Sequence, residues 1–526
     1  MENDKINDFL ESKVGILKVL YKDLQLAYWN AMLSGKDDNY KDYSDKEIEL
    51  KKIFNDKKDF NEVKKFIDSG YGNEIQRREL RLLYDMYLSN QGDVELIYDI
   101  SKKVSEAEKK FNTFRGEIDG KEKTYGEICS ILINERDSEK LKKAWEGYKK
   151  VGELVEKDVL TIVKLRNKLA KSLGFDNYYE FSLETSEQKE EEIEKVFDEL
   201  DDLNRKPFKK LKEEIDLELS KRYGVDVGDL KPWHYGDLFF QEGPSIYSID
   251  LNELYKDGIL DKAKKYYKSI GMDVDDILER SSLYEQDGKY PHACCIDMDR
   301  EGDIRTMQNL RNDEKYMETL LHELGHGVYD KYIDNGLPFI LRDTAHTFTT
   351  EAVAMIFGRK AKNLDFIRRC CEKDIDDTEG IIKKILRLRQ IVFSRWAQVM
   401  FRFERELYKN QNQNLNKTWW NLVKKYQLID FCRDKADWAS KIHIVSSPVY
   451  YHNYMLGELL ASQFHSYIMK NVISDTKNDS YFEDVKVGEY FKEKVFKAGA
   501  RYRWDEMIRR ATGEDLTAKY FIEEFK

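Results

Sequence analysis

Apolar residues recur every three or four positions through roughly the first 230 residues, interleaved with Lys and Glu. That period predicts amphipathic helices over residues 9–26, 45–66, 74–87, 93–114 and 138–173. The breaks between them are short and polar, as at Ser34-Gly35-Lys36 and Ser69-Gly70-Tyr71-Gly72. The acidic run from Lys189 to Lys195 reads as the solvated face of a further helix. The period is lost between residues 285 and 311. There the segment from Tyr290 to Met298 is short and non-helical, Asp299-Arg300-Glu301-Gly302 has turn composition, and Ile304 to Gln308 follows. A small β-hairpin is predicted, with helices resuming from Asp313. The fold class is mainly α with a minor β element.

Composition narrows the picture. The chain has 526 residues, several times an ordinary domain, yet no Pro/Gly/Ser-rich linker divides it. A single domain over 1–526 is expected, with a mostly helical part (1–230) and a second part (231–526). A formal charge of −11 argues against nucleic acid or an anionic membrane as partner. No apolar stretch approaches the roughly 18 residues of a membrane span, and residues 1–8 lack a signal peptide's apolar core. The six cysteines show neither a disulfide framework nor a CxxC pair. A cytoplasmic location is expected.

The chemistry is concentrated in Thr319 to Gly327, which contains His322-Glu323-Leu324-Gly325-His326. Residues four apart stack on one helix face, so both imidazoles can bind one zinc with Glu323 beside them as general base and acid. Met317, Leu320, Leu321, Leu324 and Val328 share an arc roughly 100° wide, and the two histidines project from the other side. One face can therefore be core while the other meets a cleft. A catalytic zinc needs a third protein ligand, and no third His follows within the motif. Glu351, opening an amphipathic helix 25 residues after His326, is the expected ligand; Asp343 and His346 compete for the place. A second cluster, Lys441 to Tyr454, gathers Lys441, His443, Tyr450, Tyr451 and Tyr454. Lys and Tyr can grip a peptide carboxylate, and His and Tyr can donate to an oxyanion.

These residues resemble the angiotensin-converting-enzyme (peptidyl-dipeptidase A) family of zinc metallopeptidases, relatives of the oligopeptidases. The similarity is carried by Ala144-Trp145-Glu146-Gly147, by Arg166 to Ala170 with Gly174, and by His292-Ala293 followed by Asp303-Ile304-Arg305. Beyond the zinc motif it continues through Leu337-Pro338, Leu341-Arg342, Ala345 and Glu351-Ala352. It then includes Lys441, His443, Ser446-Ser447, Tyr451, Tyr454 and Gln463-Phe464-His465, and ends at Trp504 and Thr512-Gly513. The resemblance implies a two-lobed helical ellipsoid around a deep channel, with N-terminal lid helices. It implies one zinc ion on His322, His326 and Glu351, and His443 and Tyr454 as transition-state donors. His292 and Ala293 would bind substrate backbone from an edge strand, and Lys441 with Tyr451 would hold the substrate carboxylate. The pattern is broken in places. One extra residue separates Ser447 from Tyr454, so either Tyr450 or Tyr451 can fill the carboxylate role. Asn453 and Lys424 stand where chloride-binding arginines are expected. Met355 stands where an acid would orient a ligand histidine.

The expected activity is hydrolysis of short oligopeptides by a zinc-activated water, with release of C-terminal dipeptides. The alternatives are an oligoendopeptidase that needs no free C-terminus and an inactive peptide-binding protein. The expected partners are oligopeptides, with no nucleic acid and no membrane, and a monomer or weak homodimer as the working form.

Overall fold

In the computed structural model, which describes residues 2–373, 379–475 and 477–526, helix accounts for 69% of the chain. The strands form two antiparallel pairs. The mainly α expectation holds. The chain folds into two units, each drawn from three stretches of sequence. The first comprises Met1–Gln91, Asp250–Glu379 and Leu456–Tyr520; the second comprises Gly92–Ile249, Gly380–Met455 and Phe521–Lys526.

The first unit opens with helices Glu2–Ser34, Asp37–Phe54, Lys57–Ser69 and Glu74–Ser89. Their apolar stripes close on one another through Ile6, Leu10, Leu17, Phe54, Val63, Leu80, Leu83 and Tyr87. The helix predicted over 45–66 is in fact two. Asp56 stops it, because its carboxylate accepts the Asp59 backbone N–H and caps the helix that follows. The predicted hairpin is present as Cys294–Asp297 paired with Ile304–Met307, in the register Cys294↔Met307 to Asp297↔Ile304. Its turn is tied by Met298 N–H to the Asp303 carbonyl (2.8 Å), and its inner face packs Ile296, Met298 and Met307 on Trp29 and Met32. His292 and Ala293 are not in the strand but in the irregular stretch just before it, with the His292 ring on Tyr290. Among the described residues, no strand pairs with the edge of Cys294–Asp297 that faces away from Ile304–Met307.

The second unit is built on the long helices Val94–Thr113, Ser138–Ser172, Glu190–Tyr223 and Glu379–Lys409, joined by Leu415–Gln427. A second hairpin, Gly116–Ile118 with Lys121–Lys123, was not expected. Asp119 and Gly120 form its two-residue loop, both at positive φ (50° and 75°), the geometry an Asp-Gly pair favours. It lies against Gly147 of the Trp145-Glu146-Gly147 motif, where an added Cβ would sit 2.9 Å from the Glu117 carbonyl oxygen.

No helix is long and apolar enough to cross a membrane, among the described residues.

Candidate functional site

The HExxH segment lies in helix Glu314–Lys331, started by Asp313, whose carboxylate accepts the Tyr316 N–H at 2.9 Å. Met317, Leu320, Leu321, Leu324 and Val328 are fully buried, as the apolar arc predicts. Gly325 lets a second helix, Thr347–Gly358, approach to backbone contact. A Cβ at Gly325 would lie 2.7 Å from Ala354 Cα. That close crossing brings Glu351 over the histidines.

The ligand atoms of His322, His326 and Glu351 lie within 4.8 Å of one another. Glu351 Oε2 is 3.6 Å from His322 Nε2 and 3.9 Å from His326 Nε2. A zinc held at about 2.0–2.1 Å by each donor keeps its ligands roughly 3.4 Å apart, so the set fits the ion. Burial pushes His322 down to about 4, against the opposing pull of Glu318 and Glu458. It also pushes His326 well below its ordinary value, with His322 adding to the shift. Both rings are therefore neutral lone-pair donors at pH 7. His326 Nδ1 is 2.7 Å from Thr350 Oγ1. With the Nδ1 proton on that hydroxyl, the Nε2 lone pair points toward Glu351, as a metal ligand requires. Glu323 is 8% exposed, and burial, then the Glu351 charge, pushes its carboxyl up to about 8. The two competitors are engaged elsewhere: Asp343 pairs with Arg300, and His346 caps Thr347–Gly358 by accepting the Phe348 N–H.

The Lys441–Tyr454 cluster belongs to the second unit. Lys441 is 8% exposed, and its Nζ donates to Gln241 Oε1 at 2.6 Å. It also lies 5.2–5.4 Å from the ring centres of Phe239, Trp396 and Tyr451. Among the described residues, no carboxylate comes within ion-pair distance of it. Burial lowers it to about 8, with Asp237 and Glu242 pulling the other way. Tyr451 is the tyrosine packed on Lys441, and its hydroxyl accepts from Trp396 Nε1 at 2.7 Å. Tyr450 instead stacks edge-on with Tyr454 at 5.2 Å. His443 sits in the short helix His443–Ser446, which Arg166 holds through the carbonyls of Ile444 (3.3 Å) and Val445 (2.8 Å). Burial, then Lys441, pushes His443 down to about 4, and its Nδ1 is buried without a hydrogen-bond partner.

Comparison with known proteins resolves what kind of chain this is. The profile of the family described as angiotensin-converting enzyme matches residues 1–234 and 247–526. The chain belongs to the angiotensin-converting enzyme family. An angiotensin-converting enzyme-related protein of Drosophila melanogaster is 22% identical over 433 residues, covering 74% of this chain and 68% of the relative. A thermostable carboxypeptidase 1 of Pyrococcus furiosus is 21% identical over 224 residues, 38% of this chain. That match spans 45% of the carboxypeptidase, less than half its length. The family and the names of these relatives make this chain a peptidase.

Against the family pattern, the departures now have structural partners. Lys424 pairs with Asp430 at 2.8 Å, and Asn453 accepts from Gln188 at 2.7 Å, so neither position offers a free positive charge. Three residues of the site were missed from the sequence. Thr350 carried no signal beyond adjacency to Glu351. Gln241 is set by Asp237, whose carboxylate gathers the N–H groups of Phe239, Gln241 and Glu242. The Gly236-Asp237 and Gly243-Pro244 pairs flanking that loop were the available sign of a tight turn. Lys149, fully buried, donates to Ser440 Oγ at 3.1 Å with its Nζ 3.5 Å from the centre of the Phe239 ring. Burial lowers it to about 7.

Proposed function

We propose that this member of the angiotensin-converting enzyme family is a zinc-dependent oligopeptidase that releases C-terminal dipeptides from short peptides. The observation that carries the dipeptide reading is Lys441, a buried cation bonded to a neutral amide and facing no carboxylate of its own. A buried unpaired charge is costly, and a substrate carboxylate is the partner such a group suits. The printed name of the archaeal relative, a carboxypeptidase, also supports an activity that reads a free C-terminus.

His322, His326 and Glu351 would hold the zinc. When bound, it supplies Lewis acidity, which polarises a carbonyl and acidifies water. Glu323 takes the proton from the attacking water and returns it to the leaving amine. His443, neutral at pH 7, and Tyr454 donate hydrogen bonds to the oxyanion. His292 and Ala293 bind substrate backbone ahead of the open strand edge. Lys441, Gln241 and Tyr451 hold the carboxylate. The substrates are unstructured oligopeptides, and the protein works in the cytoplasm, as a monomer or weak homodimer, without nucleic acid or membrane.

The test is mass-spectrometric mapping of cuts in a defined peptide set, with free and amidated C-termini, with and without chelator. Dipeptides should leave free C-termini, amidation should reduce turnover severely, and chelator should abolish it. Equal cleavage of amidated peptides at internal bonds would establish an oligoendopeptidase instead.

A further inference from the structure

His326 has a hydroxyl at its Nδ1, but no hydrogen bond of that kind supports His322. Helix Thr347–Gly358 offers nothing for the purpose, since one turn past Glu351 stands Met355, a thioether without charge. The negative charge near this half of the triad comes from elsewhere in the first unit.

At Gly457 the helix His452–Asn471 comes down on the Glu351 turn. An added Cβ there would lie 3.2 Å from Glu351 Cβ and 3.2 Å from Met355 Sδ. The next residue is Glu458, whose side chain is 13% exposed and ion-paired with Arg359. Arg359 also donates to the Glu458 carbonyl (3.3 Å) and to Ser462 Oγ (3.2 Å), so the carboxylate is clamped along its own helix. Arg359 in turn follows Gly358, where a Cβ would lie 3.4 Å from His322 Cβ. Glu458 is thus bracketed. Its chain neighbour touches Glu351, and its ion-pair partner is next in sequence to the residue that touches His322.

We propose that Glu458, held by Arg359, is a positioning residue for the metal centre, its negative charge strengthening His322 as a donor and adding to the field that retains the cation. The inference rests on the zinc reading above. The titration behaviour agrees: after burial, Glu458 raises Glu351, and it is among the two carboxylates that raise His322. The other, Glu318, is neutralised by Lys362 and has a more exposed side chain, at 29%. Carboxylates behind metal ligands change metal affinity by about 10–100-fold when removed.

The experiment measures zinc affinity by competition with a chromophoric chelator, and the visible spectrum of the cobalt form. It uses the full chain as wild type, Glu458→Gln, Glu458→Asp, Glu318→Gln and the double variant Glu458→Gln/Arg359→Met. Glu458→Gln should bind zinc about 10–100-fold more weakly and shift the cobalt bands, with the metal-free melting temperature little changed. Glu458→Asp should recover most of the affinity, and Glu318→Gln should stay near wild type. The double variant, which removes both charges and so tolerates burial, should remain weak. Wild-type affinity in Glu458→Gln would overturn the inference. So would recovery in the double variant, because the loss would then come from an unpaired Arg359. An equal loss in Glu318→Gln would also sink it. A wild type that binds no zinc would overturn this inference and the metal reading together, whereas tight wild-type binding with an unaltered Glu458→Gln would overturn this inference alone.

Discussion

At Glu323 a carboxyl group sits almost out of water beside a second carboxylate, and both effects favour its protonated form. A divalent cation on the neighbouring triad reverses that preference and leaves a base poised for proton transfer. Glu323→Gln keeps the shape and loses the proton acceptor. It should cut kcat by about 10²–10⁴-fold while zinc content, read by metal analysis, stays at one ion per chain. Lys441 makes a separate prediction. Its folded value of about 8 means it carries its charge below that pH and loses it above, and only the charged form grips a carboxylate. The nearby Lys149, at about 7, discharges first. kcat/KM for free-C-terminus peptides should therefore fall as pH rises through about 8, chiefly through KM. Lys441→Ala should flatten that limb. An unchanged limb in the alanine variant would assign the titration to another group.

Among the elements, the crossing of Glu314–Lys331 with Thr347–Gly358 matters most, because it converts helical spacing into a three-ligand set. Gly325 permits it. Gly325→Ala would place a methyl 2.7 Å from Ala354 Cα, against backbone that has no flexible end to move. A cost of about 1–3 kcal/mol is expected, read as a lowered melting temperature together with weakened zinc binding. The same crossing explains what could be read in advance. His322 and His326 are separated by one helical turn, so their juxtaposition follows from local geometry alone. Glu351 was reachable because its short amphipathic helix had the length to return antiparallel. Thr350, Gln241 and Glu458 were not legible, since each matters only through a partner distant in sequence. Two local signals misled or were overlooked. Tyr290 to Met298 reads as strand throughout, yet pairing begins only at Cys294, leaving His292 and Ala293 outside the ladder. Asp119-Gly120 is a plain hairpin signal inside a region whose helical period hid it.

For the whole molecule, composition and period anticipate a helical body without linkers, but not its division. The boundary anticipated near residue 230 reflects texture along the chain. The units instead interleave, since long helices such as Ser138–Ser172 bury their stripes against segments hundreds of residues away, as Arg166 does with Val445. Sequence order therefore says little about which lobe a residue serves. His443 and Glu323, both expected in one catalytic part, belong to different units.

Interleaving has a consequence for biosynthesis. The first unit receives its last segment, Leu456–Tyr520, only after most of the second has been made. At roughly 5–20 residues per second, the ribosome finishes His322, His326 and Glu351 several seconds before it supplies Gly457 and Glu458. A nascent chain ending at Met455 would carry every metal ligand and lack the helix that closes over them. Such a fragment, expressed alone, should retain little zinc and should be captured by chaperones or degraded, as pulse-chase with metal analysis would reveal. Zinc incorporation is then a late event, coupled to completion of the chain and not to appearance of the motif.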